Sequence, residues 1–252
     1  MRESVRLLDT RDLPWEPLGA PGLFTKRLAR DPLTGERTAL QRAVPELGQR
    51  PPGQAHFHST YEEILVVRGS MSFDSVQWLQ PHGYLYHPPR TVHGFKSALR
   101  GETWFLSRVG RDLDFTFVPD PPQTSPYYVG GTVPSRGWTY VPDPDSETWP
   151  PQATETAAFA GATARTLSVD PSSGEGSLLV RLPSGWRGRP DAFARRRYLE
   201  MFVLEGGLEL ADGTGIGCHG YAHRTAVPEG APVASDAGAV VYVNLGALDR
   251  EG

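Results

Sequence analysis

At 252 residues the chain is long enough for one large all-β domain or for two domains of about 100 residues or more, each able to bury its own core. Its 28 glycines and 24 prolines make up about a fifth of the sequence against a usual roughly 12%, which points to turns between many short strands and stops short of low complexity. A net charge of -4 with no polybasic block excludes the counterion release that drives binding to DNA, RNA or anionic membranes.

Taken from the N-terminus, residues 1–20 carry Arg2, Arg6 and Arg11 but no apolar stretch of the kind a secretory signal needs. Nothing further along approaches the ~20 apolar residues of a membrane span, so neither secretion nor membrane insertion is expected. The one cysteine, Cys218, cannot form an intramolecular disulfide, and a reducing cytoplasmic setting is the default. Lys26 and Lys96 are the only lysines among 25 basic residues, an arginine bias in keeping with GC-rich bacterial coding.

The sequence is an internal duplication. Asp31-Pro32-x-x-Gly35-Glu36 recurs as Asp170-Pro171-x-x-Gly174-Glu175, and each copy is followed by an apolar run ending in proline, Thr38 to Pro45 and Ser177 to Pro183. Glu63, Gly69 and Gly83 then recur as Glu200, Gly206 and Gly220, each displaced by 137 residues, so the two halves align without a gap across their centres. Glu62–Arg68 and Leu199–Leu204 are rich in β-branched or aromatic residues and closed by glycine, the signature of strands, and Asp212-Gly213 marks a hairpin turn. Amphipathic helices of three turns are absent. The expected layout is a first domain over residues 1–118, a second over 157–252, and between them a proline-rich connector over 119–156. The connector's aromatics Tyr127, Tyr128, Trp138, Tyr140 and Trp149 argue that it packs on the domains.

Five of the seven histidines fall between residues 56 and 93, in the first copy. His56 and His58 are two apart, so on a strand both face one way, and Glu62 shares their parity if no bulge intervenes. Glu63 should then point the other way, and the persistence of its counterpart Glu200 gives it a structural role. Thirty or so residues on, His93 follows the turn at Pro88-Pro89 and can add a ligand from a neighbouring strand. Three imidazoles and a carboxylate suit Fe(II), Mn(II), Ni(II), Zn(II) or Cu(II). The same offset places Phe193, Arg195, Leu199 and Gly230 at the four ligand positions of the second copy, where no metal is expected.

These residues resemble the cupin superfamily, and the duplication resembles a bicupin. The first cupin motif, G-x5-H-x-H-x3,4-E-x6-G, is matched by His56-x-His58-x3-Glu62-x6-Gly69, with the opening glycine displaced to Gly53. The second, G-x5-P-x-G-x2-H-x3-N, is matched by Gly83-x5-Pro89 and His93, with Thr91 in place of the inner glycine and no closing asparagine. The resemblance implies an all-β chain of two tandem jelly-roll barrels and one divalent transition metal, Fe(II) foremost, held by His56, His58, Glu62 and His93. It implies a metal-dependent enzyme acting on a small organic molecule, a dioxygenase in the leading reading. A redox-neutral isomerase, lyase, decarboxylase or hydrolase and a non-catalytic binding cupin are the alternatives. The metal-free second copy would serve as scaffold, dimer surface or effector pocket, and a homodimer stays open.

The remaining candidates are lesser. His82, in a Pro-His-Gly turn, and His87, before two prolines, are more often structural, with His87 a candidate acid or base. Tyr84 or Tyr86, Trp104 or Phe105, and Ile64 and Val66 are expected to line the substrate space, and Arg42 or Arg108 would anchor a carboxylate if inside the barrel. His219 and His223 match no ligand position, Gly213-x-Gly215-x-Gly217 is turn chemistry, and Cys218 is expected to be buried and inert.

Overall fold

The computed structural model describes every residue except 1, 131, 152–158, 226–228 and 249–252. Among the described residues every strand pairing is antiparallel and helix is confined to short 3-10 turns. Among the described residues no helix is long and apolar enough to cross a membrane. The chain divides into two compact units, Met1–Arg2 with Pro14–Glu147, and Glu3–Leu13 with Thr148–Gly252.

The central sheet of the first unit runs Thr139–Val141, Tyr84–His87, Glu62–Arg68, Thr103–Val109, Arg37–Ala43, Leu23–Arg30, Glu16–Pro17. Its register sets the chemistry of its two faces, because residues opposite one another across an antiparallel pair share a face. Glu62 lies opposite His87, Ile64 opposite Leu85, and Phe105 opposite both Val66 and Gln41. These residues face inward, where Ile64, Val66, Leu85 and Phe105 join Ala43, Met71 and Leu79 in a compact core. The other face carries Glu63, Tyr84 and Arg108, all buried. Glu63 accepts a hydrogen bond from the Tyr84 hydroxyl at 2.6 Å and pairs with Arg108 at 2.9 Å and Arg136 at 3.0 Å.

The central sheet of the second unit runs Val5–Asp9, Gly220–Arg224, Leu199–Leu210, Ala239–Leu245, Gly176–Leu182, Thr163–Val169. It repeats the first unit's scaffold in detail. Tyr221 donates to Glu200 at 2.6 Å as Tyr84 does to Glu63, and Tyr198 donates to Glu175 as Tyr61 does to Glu36. Asp31 and Asp170 each close the same turn, bonding Gly35 and Gly174 through the backbone. Gly69 and Gly206 both need positive φ, and a β-carbon on either would strike backbone closer than 2.5 Å, which is why glycine recurs there. The interior differs: Phe193, Leu199, Met201, Val203 and Trp186 pack into one apolar core.

The units are drawn differently from the expected layout at two places. Residues 119–147 belong to the first unit, where Thr139–Val141 extends the sheet beside Tyr84–His87 and Tyr127–Tyr128 pairs with Thr91–Val92. Val5–Asp9 belongs to the second unit, where it covers the edge of Gly220–Arg224. The expected boundary at residue 156 lies outside the described residues.

Breaking a buried ion cluster leaves uncompensated charge. Glu63→Ala is therefore expected to lower stability by about 3–5 kcal/mol, and Tyr84→Phe by about 1 kcal/mol. Urea denaturation of the intact chain checks both.

Candidate metal centre

Three histidines are fixed by the same device. The Nδ1 of His56 bonds the Gln54 carbonyl at 2.8 Å, that of His93 bonds the Thr91 carbonyl at 2.9 Å, and that of His58 bonds the Asp114 carbonyl. A carbonyl only accepts, so each Nδ1 carries the proton and each Nε2 keeps its lone pair for the interior. His56 and His93 sit side by side, their backbones exchanging two hydrogen bonds of 2.9 Å. Gly94 makes room for this: it has positive φ, and a β-carbon there would lie 2.6 Å from the His56 ring.

Glu62 faces inward, as its parity predicts, while Glu63 is tied up on the opposite face. Its Oε2 lies 3.2 Å from His93 Nε2 and 3.7 Å from His87 Nδ1. None of these three atoms, nor His58 Nε2, has a hydrogen-bond partner, although all are buried. Burial pushes His56 and His93 down to about 4, with neighbouring imidazoles adding to the shift. Burial also lowers His87. For Glu62 burial works in the raising direction, and a proton on His87 or His93 outweighs it and holds the carboxyl well below its ordinary range, a role a bound cation would take over with the imidazoles neutral. Neutral imidazoles and an ionised carboxylate are the protonation states a divalent metal requires. Two lone-pair atoms facing each other at 3.2 Å repel unless positive charge sits between them, so the donor set fits a cation.

The potential ligand atoms fall into two groups, His56–His58–His93 and Glu62–His87–His93, each with all atoms within 4.8 Å of one another. The structure thus brings the four expected residues together around His93, with Glu62 turned toward His87, its partner in register. His87 is buried in this cluster and stacks on His93 with ring centroids 4.1 Å apart, so it is part of the site's interior and not a turn residue. His82 is structural: it occupies a positive-φ turn and bonds Asp145. Its repeat equivalent His219 has the same backbone conformation, and His223 is buried with its ring on the Glu3 carbonyl. Cys218 is half-buried, its thiol on the Leu204 carbonyl and its pKa raised by burial.

A cavity of about 450 Å³ opens on His56, His58 and Glu62. Ile64, Met71, Phe73, Leu99, Phe105 and Phe115 make its wall apolar. Phe115 lies against both His56 and His58, with centroids 5.1 and 4.8 Å away. Several expected lining residues are elsewhere. Tyr84 and Tyr86 face the Glu63 and Arg136 side, Trp104 packs on Trp15, Arg42 pairs with Glu102, and Arg108 pairs with Glu63. Val66 is in the core and not on the cavity wall. The arginines that do reach the wall are Arg37 and Arg50, with Gln41 on the same inward face of Arg37–Ala43 as Arg37. Parity within that strand separates Arg37 and Gln41 from Arg42. Gly94 was legible only as a glycine directly after His93.

The histidine shifts set a pH dependence. Their folded values of about 4 lie below the ordinary value near 6.5, so between these limits the unfolded chain binds protons that the folded one refuses. Glu62 acts in the same sense, losing its stabilisation as pH falls through its lowered folded value. Metal-free protein is expected to lose stability steadily from about pH 6.5 to about pH 4, and more shallowly in His56→Gln. Thermal melts across that range check it.

Residues 3–109 match the family model described as ChrR Cupin-like domain. No curated protein matches the chain. Among solved structures it is similar to a proposed dioxygenase from Nostoc punctiforme, at 15% identity over 100% of this chain and 84% of that one, with a TM-score of 0.70. Salicylate 1,2-dioxygenase from Pseudaminobacter salicylatoxidans is similar at 17% identity over 88% and 76%, TM-score 0.54. The nickel(II) complex of pirin YhhW from Escherichia coli is similar at 11% identity over 99% and 100%, TM-score 0.54. Likeness at such identities shows the fold alone, a cupin fold, and the match of residues 3–109 to a cupin-like family model agrees with it.

Proposed function

We propose that the protein is a metal-dependent enzyme acting on a small organic molecule, an Fe(II) dioxygenase, with His56, His58, Glu62 and His93 as metal ligands. The observation that carries this reading is the set of buried lone-pair atoms without partners at one end of an apolar cavity. Three nitrogens and one oxygen leave room on an iron for at least one exogenous ligand. When bound, iron supplies the one-electron chemistry that O2 requires.

The chain's own residues do the rest. The carbonyls of Gln54, Thr91 and Asp114 hold three imidazoles in one tautomer and one orientation, the outer-shell arrangement that fixes ligand geometry. Glu62 offsets the cation's charge. Ile64, Phe73, Phe105 and Phe115 exclude water and orient an apolar substrate body, and Arg37, Gln41 and Arg50 are the polar wall groups that can receive its polar end. The redox-neutral alternative needs a base that reaches the substrate. Asp112 is the carboxylate on the cavity wall that could serve as one, and O2 dependence separates the two readings.

The test is elemental analysis of protein prepared anaerobically without a metal-affinity tag, followed by O2-uptake screening. One structure of the salicylate 1,2-dioxygenase holds gentisate, which supports aromatic hydroxy acids as the first compounds beside carbonyl and catechol-like ones. About one iron per chain is expected, lost in His56→Ala and His58→Ala but retained in Glu200→Ala, with substrate-dependent O2 uptake. Zinc, nickel or manganese without O2 uptake would move the assignment to redox-neutral chemistry. No metal after reconstitution would leave only a binding role.

A further inference from the structure

We propose that His87 is a fifth donor to this metal centre, so that the site offers four imidazoles and one carboxylate. The inference rests on the metal-centre reading above and goes beyond the cupin motif, which leaves the position of His87 unspecified between Gly83 and Pro89.

Its place in the sheet is the first support. His87 stands opposite Glu62 in register and shares the inward face with Leu85, which is in the core. Its ring stacks on that of His93 with planes 25° apart, and Phe73 abuts both rings, at 5.6 Å from His87 and 5.8 Å from His93. The second support is its unmet nitrogen. The Nδ1 of His56, His58 and His93 is spent on a carbonyl, whereas the Nδ1 of His87 is buried and has no hydrogen-bond partner. It belongs to a donor group with Glu62 and His93 whose atoms lie within 4.8 Å of one another. A histidine that merely held Glu62 in place would hydrogen-bond it, and 3.7 Å is too long for that.

The third support is the duplication itself, which separates scaffold from site. Scaffold residues recur in the second unit: Tyr61, Glu63, Gly69, His82, Gly83 and Tyr84 as Tyr198, Glu200, Gly206, His219, Gly220 and Tyr221. The four expected ligands do not recur, and neither does His87, whose counterpart is Arg224. His87 therefore segregates with the site, while His82, a histidine of the scaffold, is kept. As a donor, His87 has no free lone pair on Nδ1 for moving a proton, and the acid or base role suggested by the sequence falls away.

The experiment loads metal-free protein with Co(II) and records proton NMR. Each ligated imidazole contributes one hyperfine-shifted, solvent-exchangeable N–H resonance. Four such resonances are expected in the unsubstituted protein and three in His87→Phe, which keeps the ring stack without the nitrogen, and in His87→Gln. Three resonances in the unsubstituted protein would overturn the inference and leave the metal centre standing. Four that persist in either folded variant would also overturn it. Failure to take up Co(II) at all would overturn both readings. Should both variants fail to fold, the count in the unsubstituted protein decides alone.

Discussion

Two lone pairs that face each other across 3.2 Å, one on Glu62 and one on His93, are the constraint around which the first barrel is arranged. A buried polar atom left without a partner costs about 1–3 kcal/mol, and several such atoms cluster here. The surrounding chain makes no attempt to quench them. Backbone carbonyls lock the rings with their lone pairs inward, burial keeps the imidazoles neutral, and Gly94 clears the space His56 needs. The opposite face of the same sheet is held by a buried ion cluster instead, with Glu63 shared among Tyr84, Arg108 and Arg136.

The second barrel shows what the same scaffold does without that constraint. Glu62 and Leu199 occupy equivalent positions on equivalent strands, and the change from carboxylate to leucine turns an unsatisfied interior into an apolar one. Each large apolar side chain so buried contributes about 1.5–3 kcal/mol. Duplication thus leaves one copy to carry a strained polar interior and one to pack a relaxed core, while the tyrosine–glutamate pairs that organise the sheets are common to both.

What could be read from the sequence was local. The repeat, the inward parity of His56, His58 and Glu62, and the outward turn of Glu63 follow from strand geometry and spacing alone. What could not be read was register. Whether Arg37 or Arg42 faces the cavity, or whether Phe105 or Trp104 does, depends on which way a whole strand is turned, and the run Arg37–Ala43 is buried on both faces and has no clean alternation to show it. Arg136 lies in a proline-rich segment with no periodicity, and its bond to Glu63 spans 73 residues. His87 was obscured by the two prolines after it, which read as a turn, whereas the strand continues through His87 before the turn begins.

The opening strand Val5–Asp9 has a temporal meaning. It comes before the other described strands in the sequence, yet its partner is Gly220–Arg224 in the second unit. That unit is discontinuous along the chain, so during synthesis its first strand must wait until Gly220–Arg224 has emerged, whereas the first unit can close once Glu147 is out. Closing a loop of roughly 200 residues costs little more entropy than closing one of half that length, because the penalty grows only logarithmically. The delay is therefore kinetic, and through it the unit with the histidine cluster can be finished before its structural twin.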